Sequence, residues 1–159
     1  MASFKIFYLF ILLPFINLIT VKAGLDDGLR SFYCSENLTT PNSAFQKNLR
    51  TLFSYLSSNA TANKQYYNTT VAGRNHSDTV YGMFFCFGDV PRQLCIARVA
   101  EATKAILSGS YGNCSLSTDV YFQYEDFKIR YSNRSFFSTP DLTSDSVSCS
   151  YLDGSNQKN

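Results

Sequence analysis

The sequence predicts an α+β domain, with helices packed on one face of an antiparallel sheet and disulfides joining its parts. Two segments space their apolar residues as one face of a helix does. Two later segments alternate apolar with polar residues, which is typical of neighbouring antiparallel strands with one buried face. Five cysteines follow a leader with the features of a secretion signal, so we expect an exported, disulfide-linked protein. The length of 159 residues fits one domain behind that leader.

The first helix is predicted to follow the turn at residues 41–43 and to run for about sixteen residues. The polar residues 57–60 are predicted to end it. Its apolar residues are spaced so that they line one helix face: Phe45, Leu49, Leu52, Phe53 and Leu56.

The second helix is predicted to begin beside Pro91, because a proline in the first turn of a helix has no hydrogen bond to lose. The small residues 108–112 are predicted to stop it. Its apolar stripe consists of Leu94, Cys95, Val99, Ala102 and Ile106.

Strands are predicted at three places from the residue pattern. Residues 79–87 are rich in β-branched and aromatic residues, and residues 120–125 and 127–131 alternate apolar with polar side chains. The polar connection before residue 79 is predicted to be exposed, with at most one strand near residues 66–70. From Phe137 onward the composition predicts a flexible polar tail, residues 137–159.

Residues 1–23 are predicted to be a signal peptide. Lys5 precedes an apolar stretch that ends at Ala23 in a small-residue cleavage pattern. A membrane anchor is the competing interpretation, but polar or helix-breaking residues interrupt the stretch at Pro14, Asn17 and Thr20. After cleavage we expect a secreted protein without stable membrane insertion.

Cleavage also changes the charge of the chain. The whole sequence has 14 basic and 12 acidic residues, and residues 1–23 contain two of the basic ones, Lys5 and Lys22, and no acidic one. The mature chain is therefore formally neutral. A nucleic acid or an anionic membrane, which binds through a net positive field, is not an expected partner.

Six Asn-x-Ser/Thr sequons point to the same extracellular compartment, since about two would be expected by chance. The weakest is the one with Cys114 as its middle residue, because a disulfide formed there before the sugar is transferred would block the site. The glycosylation candidates are Asn37, Asn59, Asn68, Asn75, Asn113 and Asn133.

Catalytic groups are hard to assemble from this chain, so we expect no enzyme activity, cofactor or metal. The single histidine, His76, lies in a polar loop and in a sequon. A solvated loop residue is therefore a simpler interpretation than a member of a Ser-His-Asp or Cys-His catalytic site. Glu125 and Asp126 are adjacent, and adjacent strand residues point to opposite faces, so they do not form a glycosidase pair. Thiols that are oxidised to disulfides cannot bind zinc, and the sequence has neither a Cys-x2-Cys motif nor a pair of histidines.

Several short motifs stand in a fixed order along the chain. They are Phe32-Tyr33-Cys34-Ser35, residues 42–49, Tyr81-Gly82-Met83, Cys86-x8-Cys95 and residues 129–133. In this order and spacing they resemble the plant ginkbilobin-homologous domain, a cysteine-rich secretory repeat. The resemblance runs from about Leu29 to Phe136, so residues 24–136 are assigned to this domain. It implies two helices packed on a five-stranded antiparallel sheet.

The cysteines depart from the family pattern in one way. Arg98 and Phe127 stand where the family has two cysteines that bond to each other, so both ends of one disulfide are lost together. The pairings that the resemblance implies for the others are Cys34 with Cys114 and Cys86 with Cys95.

Cys149 is left over, outside the matching region. It is either a thiol that links two copies into a disulfide-bonded dimer or an unpaired or glutathione-capped tail thiol. Non-reducing electrophoresis separates the two.

Lectin members of the family bind mannose through an Asn, an Arg and a Glu side chain, and the resemblance places these positions at Ser35, Tyr121 and Ser132. None keeps the family residue. Losing both charged groups removes hydrogen bonds worth about 1.5–3 kcal/mol each, so we expect no useful mannose binding there.

These observations favour a non-enzymatic secreted recognition module of the plant extracellular space, the apoplast, which contacts another protein in defence or stress signalling. One alternative is an antifungal, lectin-like protein that binds mannose-type glycans through altered contacts. Another is a shortened product of a cysteine-rich receptor-like kinase or tandem-repeat protein.

Overall fold

The computed structural model of the protein describes residues 28–138. In chain order it contains strand β1 (Leu29–Cys34), helix α1 (Ala44–Thr61), strands β2 (Tyr66–Val71) and β3 (Val80–Cys86), helix α2 (Arg92–Leu107), and strands β4 (Asp119–Tyr124) and β5 (Phe127–Ser132). Two short 3-10 helices, His76–Asp78 and Gly112–Leu116, precede β3 and β4. The predicted leader, Cys149 and all but the first two residues of the predicted tail lie outside the described residues.

The strands form one sheet in the order β1-β4-β5-β3-β2, and every neighbouring pair is antiparallel. Both helices bury their apolar sides against one face, which we call the inner face. The α+β prediction of two helices on a five-stranded antiparallel sheet is therefore confirmed. The opposite, outer face carries a cross-strand row made of Tyr33, Tyr121, Arg130, Met83 and Asn68.

Helix α1 begins where the sequence predicts but ends later. Ser43 is its N-cap and accepts a hydrogen bond from the Gln46 amide at 3.3 Å. The predicted terminator residues 57–60 are helical, because the hydroxyls of Ser58 and Thr61 bond back to helix carbonyls and Ala60 is buried in the core. Local polarity alone predicted the end of the helix too early.

Helix α2 has the predicted start and stop but a narrower buried stripe. Cys95, Val99, Ala102 and Ile106 are buried, whereas Leu94 is 38% exposed. The buried residues are four, three and four positions apart, and Leu94 lies one position off that row, where a helical side chain turns to solvent. The inclusion of Leu94 in the stripe was wrong.

Two disulfides each join the end of a strand to a helix. Cys34 at the end of β1 is bonded to Cys114 in the second 3-10 helix, and Cys86 at the end of β3 is bonded to Cys95 in the first turn of α2. The longer bridge spans 80 residues and the shorter one nine.

A salt bridge involves Arg98, one of the two positions where the resemblance implied the cysteines of a further family disulfide. The Arg98 Nε atom of α2 donates to Asp126 Oδ2 at 2.8 Å, and both side chains are largely buried. Asp126 lies in the turn that joins β4 to β5 and immediately precedes Phe127. Arg98 therefore connects α2 to this turn by an ion pair, and Phe127 fills the core instead of carrying a thiol.

None of the helices in the described part of the chain has the length and apolar character needed to cross a bilayer. The chain after β5 folds back on the outer face, where the Phe136 ring lies under Arg130 and the Phe137 ring packs against Tyr81. Composition had assigned Phe137 to the flexible tail.

Candidate recognition surface

The three family sugar positions lie close to one another at the end of the sheet where β4 begins. The Ser35 amide donates to the carbonyl of Asp119 at 2.9 Å, and Asp119 is paired in register with Ser132. Tyr121 lies two residues further along β4, on the same face as Asp119. The chain thus brings the three positions together although they are far apart in sequence.

The polar groups at these positions are already engaged within the protein. The Ser35 hydroxyl accepts from the Asp119 amide, the Ser132 hydroxyl accepts from the Arg134 amide, and the Tyr121 hydroxyl bonds to Ser31 at 2.7 Å. Ser35, Tyr121 and Ser132 are 7%, 8% and 1% exposed. A sugar would have to displace internal hydrogen bonds to reach them, which supports the expectation that this is not a mannose site.

Sequence reasoning missed a charged pair at the same place. Asp119 and Arg130 approach to 3.8 Å and lie directly across the strands from Ser132 and Tyr121. Arg130 also lies over the Phe136 ring at 4.4 Å. Only the strand register brings the two charges together, so the residue pattern of each strand alone could not reveal the pair.

The most exposed large apolar side chains of the described residues lie in or just after the edge strand β1. Phe32, Tyr33 and Leu38 are 57%, 51% and 50% exposed, and we call them the β1 patch. Phe32 and Tyr33 are adjacent in a strand and so point to opposite faces, which makes the patch wrap around the edge of the sheet.

The β1 patch is held by the surrounding structure. The Phe32 ring stacks on the buried Phe122 ring at 5.7 Å, and the backbone of Leu38 bridges to Ser117. A shallow cleft of about 310 Å³ beside Leu38 is lined by Glu36, Asn113 and the Cys34–Cys114 disulfide. Fixed aromatic and aliphatic side chains beside a cleft are typical of protein-binding surfaces.

The acidic residues and the histidine considered for catalysis are dispersed. His76 is exposed in a 3-10 helix, Glu125 pairs with Arg30, and Asp126 pairs with Arg98. Glu125 and Asp126 belong to the β4–β5 turn rather than to a strand, but they still do not converge. Residues 28–138 contain no cluster of three or more His, Cys, Asp or Glu side chains suited to a metal ion.

The sequons occupy different kinds of structure. Asn37, Asn75 and Asn113 are exposed in loops or 3-10 helices, Asn59 lies in α1, and Asn133 follows β5. Asn68 is the one sequon asparagine among residues 28–138 that lies inside a strand.

A family model described as salt stress response/antifungal matches residues 33–134. Among curated proteins of Arabidopsis thaliana, cysteine-rich repeat secretory protein 1 is 34% identical over 84% of this chain and 37% of its own length. Cysteine-rich receptor-like protein kinase 25 is 35% identical over 72% of this chain and 17% of its own length. The chain thus spans about a third or less of these relatives.

Two solved structures have the same fold. The tandem DUF26 ectodomain of the A. thaliana cysteine-rich receptor-like protein PDLP5 superposes with a TM-score of 0.62 at 31% identity, over 70% of this chain and 53% of that one. The tandem DUF26 ectodomain of PDLP8 gives a TM-score of 0.63 over 71% of this chain and 52% of that one. The second pair is 23% identical, so it supports the fold alone.

Proposed function

Because the chain belongs to the salt stress response/antifungal family, we propose that it is a secreted, non-enzymatic recognition domain of the plant extracellular space. Its proposed partner is another extracellular protein, and its proposed setting is defence or stress signalling. The relatives named as secretory proteins and receptor-like kinases support the extracellular setting. Residues 1–23 would direct the chain there as a cleaved signal peptide.

The β1 patch is the observation that carries this proposal. Three half-exposed apolar side chains at one sheet edge would bury their surface when a partner binds, at about 25 cal/mol per Å² of apolar area. Tyrosine and phenylalanine supply this area with little loss of side-chain freedom.

The arrangement of titratable groups supports a non-enzymatic role. His76 is solvated, and the carboxylates of Glu125 and Asp126 are each paired with an arginine. A general acid or base needs a position beside a bound reactant, and the residues that line the cleft beside Leu38 include one carboxylate, Glu36, and no histidine or lysine.

A carbohydrate-binding antifungal protein is a second candidate, and one observation favours it. Asp119 and Arg130 place an acceptor and a donor fork one strand away from the substituted family positions. Such a pair can bind sugar hydroxyls through charge-assisted hydrogen bonds. Stacking of a sugar on the neighbouring Tyr121 ring would require this side chain, which is 8% exposed, to be uncovered first.

One experiment separates the two candidates. The glycosylated mature protein is used to capture partners from plant extracellular fluid, and the same sample is applied to a glycan array. We expect a defined protein to be captured and the array to stay blank. Binding to mannose-type glycans alone would contradict the protein-recognition proposal and support the lectin-like one.

A further inference from the structure

Strand β2 forms the second edge of the sheet and lacks the usual protection of an edge strand. It has no charged residue and no proline, and it pairs with β3 through all six residues without a register shift. In contrast, β1 carries Arg30 and a register irregularity. Regular, uncharged edges with aromatic and β-branched residues pair readily with other chains, so β2 needs another form of cover.

The outer face of β2 carries a sequon directly beside an exposed aromatic ring. Asn68 and Thr70, the first and third residues of the sequon, lie on this face together with Tyr66. The Asn68 Nδ2 atom donates to the Tyr66 hydroxyl at 2.6 Å. The nitrogen that would carry a sugar therefore already lies at the edge of the ring.

Tyr66 begins an aromatic strip made of Tyr66, Phe85 and Phe87. The Tyr66 and Phe85 centroids are 6.4 Å apart, and those of Phe85 and Phe87 are 5.5 Å apart. Tyr66 is 49% exposed and Phe85 38% exposed. Two rings of this strip, Tyr66 and Phe85, thus stay exposed on the outer face among residues 28–138.

We propose that Asn68 carries an N-linked glycan whose first sugar packs on the Tyr66 ring, covering the aromatic strip and shielding edge strand β2. In the transfer step, a bond forms between Asn68 Nδ2 and the anomeric carbon of N-acetylglucosamine from a lipid-diphosphate-linked oligosaccharide. The bond from that carbon to the diphosphate breaks, and the lipid diphosphate leaves. The amide nitrogen loses one proton and keeps the other.

Strand geometry favours contact between the sugar and the ring. Residues two apart in a strand lie on one face, and the hydrogen bond holds Asn68 Nδ2 beside the Tyr66 hydroxyl, so a sugar attached there starts next to this ring. The C–H face of a sugar ring is apolar and replaces water on the exposed aromatic surface. The β1 patch lies at the opposite edge of the sheet and is left open for a partner.

The test compares the full-length chain made in plant cells with the same chain made in the bacterial periplasm, which adds no such glycan. The variants are Thr70→Val, which abolishes the sequon but keeps Asn68, and Tyr66→Ala. Tyr33→Ala is the matched control, since Tyr33 is on the same face, in the other edge strand and equally exposed. Glycopeptide mass spectrometry gives the occupancy of Asn68, and thermal unfolding gives the midpoint.

In plant-made protein we expect Asn68 to be occupied and Thr70→Val to lower the midpoint by about 3 °C more than it does in bacterial protein. This extra loss should vanish in the Tyr66→Ala background and persist in the Tyr33→Ala background. An unoccupied Asn68, or an extra loss that is equal in both backgrounds, overturns the proposal.

A second measurement needs no substitution of Tyr66. Nitration of tyrosines in plant-made protein, followed by mass spectrometry, should be slower at Tyr66 in the wild type than in Thr70→Val. Tyr33 should react equally in both. Equal nitration of Tyr66 in the two proteins would show that the sugar does not lie on the ring and would refute the proposal.

Discussion

At the scale of single residues, Gly82 and Tyr131 show how side-chain size and polarity fix the packing of the inner face. Gly82 marks the place where α1 approaches β3, because a Cβ atom there would lie 2.3 Å from Leu52 Cδ2. Tyr131 is fully buried, packs edge-on against Phe53 at 5.6 Å and donates its hydroxyl to the carbonyl of Cys114 at 2.8 Å. Gly82 thus permits the close approach of α1 to β3, and Tyr131 supplies a hydrogen-bond donor to the buried Cys114 carbonyl.

Gly82→Ala should destabilise the protein by about 1–3 kcal/mol, because the added methyl group overpacks the contact with Leu52. Gly88→Ala is the matched control, since no atom lies within 4 Å of a Cβ atom at Gly88. The measurement is urea unfolding of both variants. If both substitutions have the same small effect, α1 does not lie as close to the sheet as described.

Tyr131 gives a prediction for alkaline pH. Burial, and secondarily the Asp119 carboxylate, raise the pKa of Tyr131 far above its usual value. The folded state therefore keeps this proton when the unfolded chain loses it, and stability falls above about pH 10 by up to about 1.4 kcal/mol per pH unit. The contribution is fully present below that pH.

Tyr131→Phe should cost about 1–3 kcal/mol at pH 7, because the Cys114 carbonyl loses its buried donor. The variant has no proton to lose at this position, so the stability gap to the wild type should narrow between about pH 9 and pH 11. Denaturant unfolding across this range measures the gap. A gap that stays constant with pH would refute the assignment.

At the scale of elements, both helices follow from the sequence because the spacing of their apolar residues survives in the fold. The end of α1 was predicted too early, since Ala60 is buried in the core and the Ser58 and Thr61 hydroxyls donate to helix carbonyls. Strand β1 has no clear alternation, so its residue pattern did not predict it, and the family resemblance implied only that the sheet has five strands.

The ion pair between Arg98 and Asp126 connects α2 to the β4–β5 turn, and its removal should lower the stability of the protein. Arg98→Ala should destabilise the protein by about 1.5–3 kcal/mol, because it leaves the largely buried Asp126 carboxylate without its charged donor. Arg92→Ala is the matched control, since Arg92 lies in the same helix as Arg98 and its side chain donates an exposed hydrogen bond to the Thr61 carbonyl of α1.

A double-mutant cycle with Arg98→Ala and Asp126→Asn should give a coupling energy of about 1 kcal/mol or more. Thermal or denaturant unfolding of the four proteins measures it. Additive losses would mean that the ion pair contributes nothing at the place of the absent disulfide.

At the scale of the whole molecule, the sheet and two disulfides bring together residues that are far apart in the sequence. The family positions Ser35, Tyr121 and Ser132 could be located from the resemblance, but their burial could not. Exposure of the β1 patch depends on β1 being an edge strand, and the Asp119–Arg130 pair depends on strand register. Both are properties of the assembled sheet, so no local pattern could predict them.

The longer disulfide should contribute more to stability than the shorter one. The chain-entropy model gives about 4–5 kcal/mol for the loop closed by Cys34–Cys114 and about 2.5–3 kcal/mol for the loop closed by Cys86–Cys95. The double variants Cys34→Ser/Cys114→Ser and Cys86→Ser/Cys95→Ser are compared by thermal unfolding, so that no single thiol can scramble. Equal losses would contradict this ranking.

The central claim is that the β1 patch binds an extracellular protein, and binding by patch variants tests it most directly. The captured protein is titrated against wild type, against Tyr33→Ala/Leu38→Ala, and against Tyr55→Ala/Leu107→Ala, which removes two exposed apolar side chains from the helices. We expect the patch variant to bind at least about tenfold more weakly while keeping the wild-type unfolding midpoint, and the helix variant to bind normally. Unchanged affinity of the folded patch variant would contradict the account.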